Sequence, residues 1–304
     1  MAGVAQATEG GVVVASFGRQ YEVATPTGET VLCVPRAKRS IYACGDEVGF
    51  RRTHEAGRGV LEALAPRRSL LHRADAFREK LIAANVTQIV IVVATEPSFS
   101  DELISRCLCA AEAQNLAALI LLNKIDLTER LPAAQQILGP FRSLGYPILE
   151  LAAESSVAAL RPHLEGRTSI LVGQSGMGKS TVVNALLPEA RAATREISLS
   201  LDSGKHTTTF ARLYHLDEHS RLIDSPGLQT FGLTHLSPTA IEQGFREFSP
   251  YFGQCRFRDC QHLEEPGCAL VAAADSGQIS RRRLDLFRQI RAENEAARRL
   301  ARGH

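Results

Sequence analysis

Three groups of residues in this sequence have types and spacings that could do chemistry. Gly173, Gln174, Ser175, Gly176, Met177, Gly178, Lys179 and Ser180 spell G-x-x-x-x-G-K-S, with Thr181 next, between the strand-like TSILV and the helix-like STVVNALL. Glycines in that context let the backbone wrap so that successive N–H groups and a helix N-terminus point at phosphate. Lys179 adds positive charge, and the Ser180 hydroxyl suits Mg²⁺. The second group, Asn123, Lys124 and Asp126 of NKID, follows an apolar strand candidate, the place where open α/β sheets bind ligands. A carboxylate at Asp126 can accept from the N1 and N2 donors of guanine, which adenine does not present, so guanine is the expected base. The third group is Cys255, Cys260, His262 and Cys268, separated by four, one and five residues. Three thiolates and one imidazole suit tetrahedral Zn²⁺ with every position filled, hence a structural ion. The spacing is not the common C-x-x-C form, and buried free thiols are the alternative.

These groups need elements to position them. The chain has 304 residues, 44% hydrophobic, 22% charged and 6% aromatic, with no Trp, as expected of a folded soluble protein of two or three domains. From Gly10 to about Leu64 short β-type runs (VVVASF, QYEVAT, ETVLCVP, DEVGFRR, GRGVLEAL) alternate with Gly, Pro and Asp, predicting a small OB-like barrel. APRRSLLHR reads as a basic linker, with a boundary near Pro66. Beyond it, candidate strands at 88–95, 116–122, 146–151, 169–172, 209–216 and 221–223 alternate with helical stretches such as 101–115 and 132–143, the rhythm of an α/β sheet covered on both faces. After Gly227 that rhythm stops, leaving a helix over 238–248, the Cys/His cluster and an Arg-rich helix from Ser280. The predicted organisation is an OB-fold barrel over 1–66, a GTPase-like α/β domain over 67–232, and a helical zinc-binding domain over 233–304.

The apolar runs are far shorter than the roughly 20 residues of a membrane span, so no membrane association is expected. MAGVAQATEG has neither a basic leader nor an apolar signal core, which predicts a cytoplasmic, reducing setting for the seven cysteines. A net charge of +2 conceals basic clusters at 36–39, 67–73 and 281–302, either ordinary solvated surface or nucleic-acid contacts. Nothing in the pattern demands a dimer, and a monomer is expected.

Asp224 to Gly227, DSPG, ends the run RLI and matches the DxxG element of GTPases, where Asp224 would hold Mg²⁺ through water and the Gly227 amide would sense the γ-phosphate. GKHTTT, 204–209, resembles a switch-one element whose metal-closing threonine is Thr207 or Thr208. Ras-type GTPases run phosphate loop, switch one, DxxG, NKxD; here NKID comes first. The permuted order, the barrel before it and the Cys/His cluster after it together resemble the ribosome small-subunit-dependent GTPases, the RsgA (YjeQ, EngC) family, over nearly the whole chain.

That resemblance implies a GTPase that binds GTP and GDP, docks on the maturing small ribosomal subunit through its rRNA, is stimulated by it and assists late assembly. By GTPase chemistry Asn123 would contact the O6/N7 side of guanine and Lys124 would lie along the base. Ala153, in LAAE, stands where a third loop offers its backbone N–H. Leu228 replaces the glutamine that orients water in Ras, and an apolar side chain cannot do that work. His206 is the nearest candidate by motif position, and the family's matching histidine has this catalytic role. The family also carries the same Cys₃His spacing. DSPG leads within a few residues into the C-terminal module, so switch two is expected to be tethered to it. The last helix fits either rRNA phosphate contact or a plain amphipathic surface. An RNA-binding checkpoint with incidental turnover and a phosphate-loop kinase or ATPase are the competing functions; NKID opposes the latter.

Overall fold

The structure, a computed structural model, describes residues 8–36, 41–75, 78–188, 211–225 and 233–302. Five strands open the chain: β1 (Glu9–Phe17), β2 (Gln20–Ala24), β3 (Thr30–Pro35), β4 (Glu47–Arg52) and β5 (Arg58–Leu64). They pair in the order β1-β2-β3-β5-β4, β3 and β5 run parallel, and β4 returns to β1, closing an OB-type barrel. Alternation with period two sends Val13, Tyr21, Val23, Val31, Cys33, Val48, Phe50 and Leu61 inward to a core of their own.

The basic stretch expected as a linker does more than connect. Leu70–Asp75 forms β6, paired antiparallel with β7 (Arg78–Ala84), and Leu71 is fully buried. Arg67 is committed to the barrel: its Nε and Nη2 each lie 2.7 Å from the Asp46 carboxylate, which has no solvent exposure. A desolvated bidentate pair of this kind fixes geometry and removes the arginine from the pool available to a polyanion.

The central sheet has the order β10-β9-β8-β11-β13-β12, built from β8 (Gln88–Ala94), β9 (Ala117–Asn123), β10 (Ile148–Glu150), β11 (Thr168–Val172), β12 (Arg212–His215) and β13 (Arg221–Asp224). All pairs are parallel except β12 with β13, and every residue of β8 is buried, as a doubly covered strand requires. Helices α1 (Asp101–Ala113), α2 (Leu131–Ser143), α3 (Arg161–Leu164) and α4 (Lys179–Leu186) flank the strands. β8 is followed by β9 on one side, and β11 by β13 and β12 on the other, so the crevice between the ends of β8 and β11 is the switch point where such sheets bind ligands. β12 also bridges to β1 through Arg212 and Ala15, and Arg212 Nη2 donates to Glu22 Oε2 at 2.8 Å, joining sheet to barrel.

The C-terminal module contains α5 (Pro238–Gln243), a 3₁₀ segment (Arg246–Tyr251), α6 (Ala269–Asp275) and α7 (Arg281–Arg302). The helix expected over 238–248 stops early, and Gly244 supplies a reason. A Cβ there would stand 2.4 Å from Cys109 Sγ and 2.8 Å from Cys109 Cα, so only glycine lets the chain lie on α1. Phe245, Phe248 and Phe287 pack edge and face at 5.1–5.5 Å between ring centroids. Through them runs Arg283: Nε donates to Glu247 Oε1 at 2.6 Å and Nη1 to Ser105 Oγ on α1 at 2.6 Å, with only 4% of its side chain exposed.

Breaking a buried pair leaves a charge without compensation, at a cost of about 3–5 kcal/mol. Arg283→Ala is therefore expected to lower the urea midpoint of the C-terminal module by that equivalent. The double replacement Arg283→Met, Glu247→Leu should recover most of the loss. Equal destabilisation by the single and double variants would show that the pair is not the cause.

Candidate functional site

The phosphate loop leaves β11 with Gly173 packed so closely on β8 that a Cβ would lie 2.3 Å from Val92 O. It ends at Gly178, φ +87°, directly before α4 begins at Lys179. Lys179 is 8% exposed and donates to two carbonyls of its own loop, Gly173 O at 2.6 Å and Gln174 O at 2.8 Å. An ammonium has three protons, so one remains for a phosphate oxygen. Burial lowers the Lys179 pKa, opposed by the nearby Asp224 carboxylate. Burial likewise raises the Asp224 carboxyl, opposed by Lys179. Two desolvated opposite charges thus influence one another near the end of β13, whose Asp224 pairs in register with Leu171 of β11. Ser180 is exposed at the start of α4, and Ser225 is anchored by its hydroxyl to Leu171 O at 2.6 Å. The Ser180 hydroxyl and Asp224 carboxylate are hard oxygen donors of the kind Mg²⁺ takes alongside nucleotide phosphates.

NKID arrives from the other side of the switch point. Asn123, 2% exposed, ends β9 and donates from Nδ2 to Met177 O in the phosphate loop at 3.1 Å, while its Oδ1 accepts from the Ala153 amide at 2.9 Å. One side chain therefore joins three loops. The Ala153 N–H is directed to Asn123 Oδ1 and so orients that amide. Lys124 takes φ +61°, an uncommon conformation for a residue with a side chain, and its carbonyl is held by Thr95 Oγ1 at 2.7 Å. Its Nζ donates to Glu96 O at 2.7 Å. Pro97, just beyond, is close enough to Gly176 that a Cβ there would sit 3.3 Å from the ring. Asp126 is exposed and able to meet a base. His206, Thr207, Thr208 and Gly227 lie outside the described residues.

Cys255, Cys260, His262 and Cys268 offer ligand atoms that all lie within 4.8 Å of one another. His262 Nδ1 is 3.5 Å from Cys255 Sγ and 3.4 Å from Cys268 Sγ. Metal distances of about 2.3 Å to sulfur and about 2.0–2.1 Å to nitrogen make the N···S edge of a tetrahedron about 3.5 Å, so the set fits a four-coordinate ion. The Ala269 amide also points at Cys255 Sγ, 3.3 Å away, as a donor to a thiolate would. The loop is pinned from α7: Arg288 Nε donates to His262 O at 2.9 Å and Arg291 Nη1 to Gln261 O at 3.0 Å. Two contributors, the Met177 and Glu96 carbonyls, are invisible in the sequence because a backbone oxygen carries no residue-type signal. A third, Glu242 against His262 Nε2, lies twenty residues upstream of its partner, where no motif spacing could reveal it.

An NKID loop that precedes the phosphate loop in the chain yet touches it in space is the arrangement of a circularly permuted phosphate-loop GTPase fold. The comparisons with known proteins agree. The RsgA GTPase family model matches residues 64–234. A small ribosomal subunit biogenesis GTPase RsgA from Nitrosospira multiformis is 54% identical over 280 residues, covering 92% of this chain and 89% of that protein. The protein of the same description from Burkholderia pseudomallei is 51% identical over 285 residues, covering 92% of this chain and 90% of its own. Among solved structures, YjeQ from Thermotoga maritima superposes with a TM-score of 0.69 at 29% identity, covering 95% of this chain and 99% of that one. YloQ, a circularly permuted GTPase, shares the fold with a TM-score of 0.67 at 24% identity, covering 95% and 96%. The chain belongs to the RsgA GTPase family.

Gly178 is where the two loops are closest. A Cβ would stand 2.2 Å from Asn123 Nδ2 and would have to adopt φ +87°. A Gly178→Ala loop relaxes away from this geometry, and regaining it on binding costs left-handed strain of about 1–2 kcal/mol plus a hydrogen bond of about 1 kcal/mol, so the variant is expected to bind GDP about 30- to 150-fold more weakly by isothermal titration. Gly253→Ala, also left-handed at φ +75° but with open space around it, should leave affinity unchanged. Equal affinities for wild type and Gly178→Ala would contradict this account of the junction.

Proposed function

We propose that this chain hydrolyses GTP to GDP and phosphate on the small ribosomal subunit and assists that subunit's late maturation, with the subunit stimulating turnover. The observation that carries the reading is the Asn123 Nδ2 to Met177 O hydrogen bond, which makes a base-reading loop and a phosphate loop parts of one site. The relatives' description as small ribosomal subunit biogenesis GTPases supports the choice of partner.

In this reading Gly173 to Thr181 wrap the phosphates and Lys179 turns its remaining proton to the β/γ-phosphates. Asp126 accepts from guanine N1 and N2, and Asn123 and Lys124 brace the base against the phosphate loop. Ser180 and Asp224 would hold Mg²⁺, which when bound would neutralise charge developing on the phosphates. Thr207 or Thr208 and Gly227 close on the γ-phosphate. His206 positions the water that attacks γ-phosphorus in line, in the place of the absent glutamine, as the bond to the β-phosphate oxygen breaks.

The division of labour follows the three regions. The barrel (1–66) and the C-terminal module (233–304) grip rRNA, and the GTPase domain (67–232) between them reads the nucleotide. The Cys₃His set holds one structural Zn²⁺ that fixes the 255–268 loop. The protein acts as a cytoplasmic monomer; no helix among the described residues is long and apolar enough to cross a membrane.

The deciding assay measures phosphate release from GTP and from ATP, with and without purified small subunits. GTP turnover is expected to rise on adding subunits and ATP turnover to stay at background. His206→Ala should keep GTP affinity while losing about 10²-fold or more of the stimulated rate, in the range of a positioned acid-base or orienting group. Equal use of both nucleotides would overturn the guanine assignment, indifference to subunits would overturn the partner, and normal stimulated turnover of His206→Ala would remove that residue.

A further inference from the structure

His262 makes two kinds of contact, and only one belongs to the ligand set. Its Nδ1 faces Cys255 and Cys268 at 3.5 and 3.4 Å, while its Nε2 lies 3.1 Å from Glu242 Oε1. A neutral imidazole carries one N–H, and whichever nitrogen holds it cannot ligate. A proton on Nδ1 would sit among the sulfurs and exclude a cation. An Nε2–H donates to the Glu242 carboxylate and leaves the Nδ1 lone pair turned to the sulfurs.

We propose that Glu242 is a positioning residue for the metal centre: it selects the His262 tautomer that ligates through Nδ1 and ties the metal loop to α5. This rests on the reading of the Cys₃His set as a zinc site. Glu242 is suited to the task because its own helix is immobilised. Ser237 caps α5 by accepting from the Ala240 amide at 3.0 Å, Ile241 is fully buried, and Gly244 lies against Cys109 of α1. The other end of His262 is held independently. Its backbone takes φ +59°, and its carbonyl accepts from Arg288 on α7 at 2.9 Å. The imidazole is thus aimed from two elements, α7 through the main chain and α5 through Glu242.

The test uses full-length wild type, Glu242→Ala and Glu242→Gln, each loaded with zinc. Zinc affinity is measured by competition with a chromogenic chelator, and the His262 ring nitrogens are assigned by ¹⁵N NMR. Loss of an outer partner of a ligating histidine typically weakens metal binding about 10- to 100-fold, which is the change expected for Glu242→Ala. Glu242→Gln, whose amide oxygen can still accept, should recover most of it. Wild type should show metal on Nδ1 and a slowly exchanging proton on Nε2, and that proton should exchange faster in Glu242→Ala. Unchanged zinc affinity in a folded Glu242→Ala protein overturns the proposal. So does metal on Nε2 in wild type, a result that needs no variant to fold. Wild type that retains no zinc at all sinks the zinc reading first, and is told apart from failure of the Glu242 role by that measurement alone.

Discussion

The hydrogen bond from Asn123 Nδ2 to the Met177 carbonyl is the constraint on which this molecule's chemistry depends. It spans fifty-four residues of chain and brings the end of β9 onto the turn that precedes α4. Gly178 is the local condition for that contact, since any larger residue would occupy the space of the Asn123 amide. Thr95, Glu96 and Ala153 then fix the NKID loop from the strands on either side. Permutation of the chain leaves this arrangement intact because the sheet order, not the sequence order, decides which strand ends are neighbours.

The same sheet explains how a nucleotide site can be mechanically joined to a distant module. The loop after β8 lies against Gly176 through Pro97, and α1 begins a few residues later with Ser100 capping the Glu102 amide. Along α1, Asp101 pairs with Arg282, Ser105 with Arg283, and Arg106 with Glu293, all on α7. A single rigid helix thus runs from the flank of the phosphate loop to the face of the C-terminal module. It offers a second physical connection besides the chain that leaves DSPG. In the arginine-rich last helix, Arg281, Arg282, Arg283, Arg288 and Arg291 are engaged with carboxylates or carbonyls of the protein itself and so help to assemble the module.

The chemistry was legible in the sequence wherever residue type carries the information. The phosphate loop, NKID and the Cys₃His set need particular side chains at particular spacings, and the barrel and α/β sheet follow from alternation and apolar runs. Legibility failed where neighbours decide. The 67–73 stretch reads as a linker because its arginines dominate, yet Leu70 and Leu71 give β6 a place and Asp46, out of sight in sequence, claims Arg67. The helix over 238–248 is interrupted by an approach to Cys109 that no local pattern encodes. The Ala153 amide and Glu242 depend on partners thirty and twenty residues away, and only the fold reveals what they touch.

The claim that one nucleotide is held by both loops is tested most directly by a crystal structure of the GDP complex. A single GDP is expected, with guanine N1 and N2 at hydrogen-bonding distance, about 2.7–3.2 Å, from the Asp126 carboxylate, and its β-phosphate at similar distance from Lys179 Nζ. A nucleotide whose phosphates meet Lys179 while its base lies away from Asp126 would contradict it.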